Sequence, residues 1–367
     1  MIQPDRLLQT FLELVRIPSP SGQEAEIARH LVARFQGLGL EARLDRAGNL
    51  LAHTPYQEGA LFLGAHMDTV GTKGEVHPIV EGDLIRSDGT NILGADDKSG
   101  IAVILEIITS LREDGAHLPP LEVVLTVSEE TGLVGAKALN PADLKAAEGI
   151  GFDAGGPIGT IIVQAPSQDS LRAVVHGKKA HAGSEPEKGI NAIRVAAEAI
   201  AAMPLGRIDP ETTANIGVIQ GGEATNIVPD RVEIRGEARS RNPERLAQQV
   251  EAMVRAFQEA RDRHGAGLDL EVTRSYETFQ LTAETPIVKE LMAAARAQGL
   301  EPLLMPSGGG SDANILNALG ITIANVSTGM EAVHTSEEHI KLSDMVACAR
   351  WIEELLRRRL TEPRDIR

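Results

Sequence analysis

The sequence predicts an α/β fold: a mixed, mostly parallel sheet covered by helices, interrupted midway by a smaller α+β unit. Two observations support this. At both ends of the chain, β-prone apolar runs alternate with helical periodicity. Strands are expected over 61–65, 121–128, 159–163 and 321–326, and a helix over 100–111 precedes the second of them. Between about 167 and 280 the order becomes strand, helix, two strands, helix, strand, which is the ferredoxin-like arrangement. A chain of 367 residues accommodates two domains, so residues 1–166 and 281–367 are read as one domain and 167–280 as its insertion.

Leu7, Phe11, Leu14 and Val15 repeat at helical spacing, and Ser21-Gly-Gln-Glu24 has the form of a capping box opening a second helix through Ile27, Leu31 and Phe35. In the insertion the expected elements are strands 171–176, 214–220, 231–238 and 268–276 and helices 187–202 and 244–264. An amphipathic helix over 287–297 then leads the chain back to complete the first sheet.

Composition narrows the function classes. The net charge of -16 repels nucleic acid and anionic lipid, and the basic run Arg357–Arg359 is confined to a terminal helix. No run approaches the roughly 18–20 apolar residues that cross a bilayer, and the opening Met-Ile-Gln-Pro-Asp-Arg lacks a basic segment followed by an apolar one. The expectation is a cytoplasmic protein that binds neither nucleic acid nor membrane. The single Cys348 is expected as a buried core thiol, with no disulfide framework.

Five separated runs carry acidic and histidine residues: Gly-Ala-His66-Met-Asp68, Gly-Ala-Asp96-Asp97-Lys98, Ser-Glu129-Glu130-Thr, Phe-Asp153-Ala-Gly-Gly and Val-His334-Thr. Several follow an expected strand, so their side chains emerge at the carboxyl edge of one sheet, where open α/β folds bind ligands. Adjacent carboxylates such as Asp96-Asp97 in an apolar setting repel each other unless a cation absorbs their charge. Neighbouring side chains at a strand end diverge, so one of Glu129 and Glu130 can hold metal while the other meets substrate. A buried glutamate with a raised pKa suits proton transfer in metal-assisted hydrolysis.

At these residues the chain resembles the dinuclear zinc family that includes peptidase T, aminoacylase, glutamate carboxypeptidases and succinyl-diaminopimelate desuccinylase, with the peptidase T-like branch fitting best. The match runs from Ile17-Pro-Ser-Pro-Ser-Gly to the C-terminal histidine motif. The resemblance implies a catalytic domain of zinc-peptidase type and an inserted lid that also dimerises. It implies two divalent metal ions, zinc by ligand type with cobalt and manganese also suited. His66, Asp96 and Asp153 would hold one ion, and Asp96, Glu130 and His334 the other. Glu129 would be the general base, Asp68 would orient His66, and the Asp96–Asp97 peptide would be cis. In the lid, Gly177-Lys-Lys-Ala-His181-Ala-Gly is similar to the segment whose histidine reaches a neighbouring subunit's site in dimeric members. Asn226 and Arg239 lie in segments that resemble those gripping the substrate in related enzymes, Arg239 as the anchor for a terminal carboxylate. Ser307-Gly-Gly-Gly-Ser-Asp312, before a helix, can present backbone N–H groups to an anion, which makes Gly309 and Gly310 candidate substrate contacts.

The implied activity is hydrolysis of an amide bond in a short peptide, foremost by a tripeptide aminopeptidase acting as a homodimer. An N-acyl amino acid deacylase or a carboxypeptidase on the same site is the alternative within the enzyme class. An inactive binding or scaffold homologue is the alternative outside it, which the complete ligand set disfavours.

Overall fold

The computed structural model describes residues 1–55, 58–71, 74–115 and 118–361. The chain divides into two units. The first comprises Met1–Val163, Gln280–Pro306 and Ser311–Arg367; the second comprises Gln164–Phe279 together with Ser307–Gly310.

The central strands of the first unit, in spatial order Leu121–Thr126, Leu61–His66, Glu148–Gly151 and Thr322–Val326, are all parallel. Leu61–His66 and Leu121–Thr126 are buried along their whole length, which is why they read as mostly apolar rather than alternating; the one carboxylate within them, Glu122, accepts from the Lys145 and Ala146 N–H groups. Antiparallel strands flank them: Leu50–His53 and then Glu41–Leu44 on one side, Thr160–Ala165 on the other. Helices Pro4–Arg16, Ala95–Glu113, Pro286–Ala297 and Leu342–Thr361 pack on one another, and Phe11, Trp351 and Cys348 are fully buried among them. Trp351 donates its indole N–H to Leu291 O at 2.9 Å, which satisfies its one polar atom. The strand Glu148–Gly151, where the sequence suggests only an apolar approach to Asp153, is short and glycine-containing. Gly149 and Gly151 leave no room for a Cβ beside Phe62 and Asn325.

The capping box expected at Ser21–Glu24 does not form. The helix Ala25–Gly37 has no side-chain cap at Glu24, because the Glu24 carboxylate is engaged elsewhere.

The second unit has the ferredoxin-like order. Gly267–Tyr276, Ser167–His176, Arg231–Ser240 and Thr212–Gly221 are antiparallel neighbours in that sequence, with helices Ala192–Ala202 and Pro243–His264 packed on the sheet. The first of these helices, expected from Glu187, begins five residues later. Pro186–Lys188 form only a short 3-10 turn; Lys178 and Ile190 then exchange both backbone hydrogen bonds at 2.9 Å, and the Asn191 side chain caps the helix by accepting from Arg194 N–H. Among the described residues, no helix is long and apolar enough to cross a membrane.

Candidate metal centre

The parallel strands deliver the polar runs to one edge of the first unit. His66 is the last residue of Leu61–His66. Glu129 and Glu130 follow the end of Leu121–Thr126, and Asp153 lies two residues beyond Glu148–Gly151. Asp96 and Asp97 open the helix Ala95–Glu113 through a cis peptide, as the resemblance implied. His334 lies in the loop after Thr322–Val326 with a left-handed φ of 65°.

The ring orientation of His66 is set by its own strand exit. Its Nδ1 lies 2.9 Å from the main-chain carbonyl of Asp68, so that nitrogen carries the proton and Nε2 offers a lone pair. The Asp68 carboxylate, expected to do this orienting, is farther from the ring at 3.5 Å. It instead accepts from Glu129 N–H at 2.9 Å, Glu130 N–H at 3.2 Å and the Ser21 hydroxyl at 2.7 Å. Asp68 therefore holds the Glu129–Glu130 backbone, and its carbonyl holds His66.

His66 Nε2 faces Asp96 Oδ1 at 3.1 Å, while Asp96 Oδ2 lies 3.2 Å from His334 Nε2, itself 2.8 Å from Glu130 Oε1. That glutamate oxygen is buried and has no hydrogen-bond partner. His66 Nε2 and Asp96 Oδ1 are at hydrogen-bonding distance, and this convergence of imidazole nitrogens and carboxylate oxygens around an unpartnered glutamate oxygen is an arrangement that a divalent cation would satisfy. The ligand atoms of His66, Asp96 and Asp153 lie within 4.8 Å of one another, and so do those of Asp96, Glu130 and His334, with Asp96 common to both groups. His66, Glu129 and Glu130 form a third such group. The donor set of imidazole and carboxylate fits a pair of divalent ions.

The protonation of these side chains follows from their crowding. Burial, reinforced by the charge of Asp96, pushes Asp153 up to about 7, and burial also pushes Glu129 and Asp97 well above the carboxylate range. Contacts with Asp96 and Glu130 raise His334 to about 10. Against its own burial, His66 is held well above its usual value by Asp68 and Asp96. Asp96, against its burial, is held low by His334 and His66. Protons take up the charge that a cation would neutralise.

Three further residues support the site, none of which the sequence marks out as a ligand. Glu338, 1% exposed, accepts from Gly94 N–H at 2.7 Å and Asp96 N–H at 3.0 Å, fixing the backbone that presents Asp96. Lys98 is buried, donates to Ile17 O at 2.8 Å and is pulled down to about 7 by that burial. Asp312, which closes the serine-glycine run, takes the hydroxyl of Thr126 on one oxygen and is pushed up to about 6 by burial.

The expected substrate-contact residues all fall in the second unit, which takes in the loop Ser307–Gly310 as well as the insertion, and they are engaged there. Arg239 donates Nε and Nη2 to the two oxygens of Glu237 at 2.8 and 3.0 Å, so it is not a free anchor. Gly309 N–H goes to Ser307 Oγ and Gly310 N–H to Tyr276 Oη, both at 3.1 Å, so neither amide is held open for an anion. Asn226 is exposed and accepts Ala182 N–H on its main-chain oxygen. His181 is exposed; its Nδ1 accepts from Gly183 N–H at 3.1 Å and Ser184 N–H at 3.0 Å.

Two family models match the chain: peptidase family M28 over residues 49–190, and the peptidase dimerisation domain over 167–265. Fold, site and these matches define a metallopeptidase, a metal-dependent hydrolase of peptides. The chain is 42% identical to the uncharacterized protein YqjE of Bacillus subtilis, over 97% of this chain and 99% of that protein. Among solved structures, aminopeptidase PepT of Bacillus cereus is 41% identical, with a TM-score of 0.86. A tripeptidase of Staphylococcus aureus is 40% identical, with a TM-score of 0.91. Each alignment covers 97% of this chain and 98% of the other. The chain belongs to the peptidase T-like family.

Proposed function

We propose that the chain is a tripeptide aminopeptidase that works as a homodimer with two zinc ions. The observation carrying this reading is the sharing of Asp96 between two ligand groups, beside a buried carboxylic acid, Glu129, in a chain 40% identical to a tripeptidase along nearly its whole length. His66, Asp96 and Asp153 would hold one ion, and Asp96, Glu130 and His334 the other. Zinc suits mixed imidazole and carboxylate ligands, and cobalt or manganese would be accepted by the same donors. When bound, the ions supply Lewis-acid polarisation and a nucleophile at neutral pH.

The chain's own residues do the rest. Glu129, raised by burial and anchored through its N–H to Asp68, takes the proton of the attacking water and passes it to the departing amine. Asp68 keeps Glu129 and Glu130 at fixed separation. His181, whose Nδ1 accepts two backbone N–H groups, carries its proton on Nε2 and is thereby a donor. Reaching from a second copy of the chain, it would stabilise the oxyanion.

The test is amine release from a free tripeptide beside the same peptide N-acylated, using metal-loaded and chelator-stripped protein. Cleavage of the free peptide alone, lost on stripping, is the expected outcome. Cleavage of the acylated peptide alone would move the assignment to a deacylase or carboxypeptidase.

A further inference from the structure

Ser128 is one of four non-glycine residues with a left-handed φ among the described residues; its value is 51°, and it stands directly before Glu129-Glu130. L-residues seldom adopt this region, so something outside the local sequence must hold it. Glu24, 5% exposed and 104 residues away, does so. Its Oε1 accepts from Ser128 N–H at 2.9 Å, Ser128 Oγ at 3.0 Å and Gly22 N–H at 2.8 Å. The next two amides, Glu129 N–H and Glu130 N–H, go to the Asp68 carboxylate, which also takes the Ser21 hydroxyl. Three consecutive backbone donors are thus held by two buried carboxylates, and the segment 21–24 closes the ring between them.

Burying another carboxylate beside an acidic site is electrostatically costly, and helix capping does not account for Glu24, since it caps nothing with its side chain. We propose that Glu24 is a positioning residue that clamps Ser128, so that Glu130 meets the second metal and Glu129 the substrate at fixed geometry. The inference rests on the two-metal reading of the site. Its chemistry is an acceptor at a set reach rather than a charge. Glu24→Gln keeps that oxygen, whereas Glu24→Asp keeps the charge but withdraws it by one methylene.

The test is a calorimetric titration of the chelator-stripped protein with Zn2+, read together with kcat and KM on the tripeptide. In Glu24→Ala and Glu24→Asp, one of the two metal equivalents should weaken by about tenfold or more, the magnitude usual for groups that support metal ligands. The other equivalent should stay within about twofold, and kcat should fall with KM little changed. Glu24→Gln should restore most of both. Wild-type affinity for both equivalents in Glu24→Asp would overturn the proposal, as would weakening in Glu24→Gln but not in Glu24→Asp. Equal weakening of both equivalents in step with a lowered Tm would also overturn it, since that is what a merely structural role produces. If Glu24→Ala does not fold, the Asp and Gln pair decides. A wild type that binds two ions yet cleaves no peptide would sink the peptide reading, and the titration would still judge the clamp.

Discussion

The two units differ in how densely they bury ionisable side chains. In the second unit many sit in partly or wholly exposed pairs, such as Arg172–Glu233, His176–Asp269, Lys179–Glu223 and Arg194–Glu198. Solvent screens such pairs and ordering the long side chains offsets much of their attraction, so they add little to stability. At the strand edge of the first unit, His66, Asp68, Asp96, Asp97 and Glu129 are buried, and Glu130 leaves an oxygen without a hydrogen bond. The four left-handed non-glycine residues among the described ones, Ser128, Leu133, Ala332 and His334, also all lie in the first unit, flanking the ligand-bearing loops. Charge that is buried, convergent and held by strained backbone is costly without a cation, and that cost separates a site from a solvated surface.

Experiments that break this contrast rank by size. Glu129→Gln should lower kcat by about 10²–10⁴-fold while both ions stay bound, as expected for removal of a general base. Loss of metal together with activity would mean the proton carrier lies elsewhere. His181→Ala should cost about 10²–10³-fold, the range for an oxyanion donor. If that histidine serves a second copy, mixing inactive Glu129→Gln with His181→Ala protein should regain activity in the hybrid dimers, and silence of the mixture would contradict the cross-subunit role.

The pH dependence is smaller and has a definite sign. A cation must displace the protons held on Asp153, at about 7, and on His334, at about 10. Both values lie above those of the free side chains, so affinity should climb as pH rises from 6 to 8; equal affinities at the two pH values in competition with a chelator would contradict the protonation scheme. The smallest effect belongs to the second unit. Lys179→Ala or Arg172→Ala should leave Tm within about 2 °C of wild type, and a larger fall would mean these exposed pairs matter more than their setting implies.

The metal-ligand candidates were legible because histidine and carboxylate at the ends of apolar strands are costly to bury unless a ligand at the sheet edge engages them. Three of the four central parallel strands were legible as buried, mostly apolar runs, whereas Glu148–Gly151, short and with two glycines among its four residues, offered no such run. Residues that support the site from a distance were not legible. Glu24 looks like a helix cap in its own neighbourhood, and only the approach of Ser128 from 104 positions away gives its carboxylate another task. Glu338 likewise reads as one more acid after His334, until the fold brings Gly94 and Asp96 N–H to it. For Arg239 and the glycine run the sequence does not report local partners: Glu237 sits two residues from Arg239 on the same face of its strand, and Tyr276 and Ser307 take the glycine amides. The late start of the helix at Ala192 came from a long-range backbone pairing, Lys178 with Ile190, which no local propensity reports.

The most direct test of the central claim, that the buried charges of the first unit are a two-ion site, is anomalous diffraction from zinc-loaded crystals on both sides of the zinc absorption edge. Two peaks per chain are predicted, one among His66, Asp96 and Asp153 and one among Asp96, Glu130 and His334, with Asp96 between them. A single peak, or peaks away from Asp96, would contradict the account.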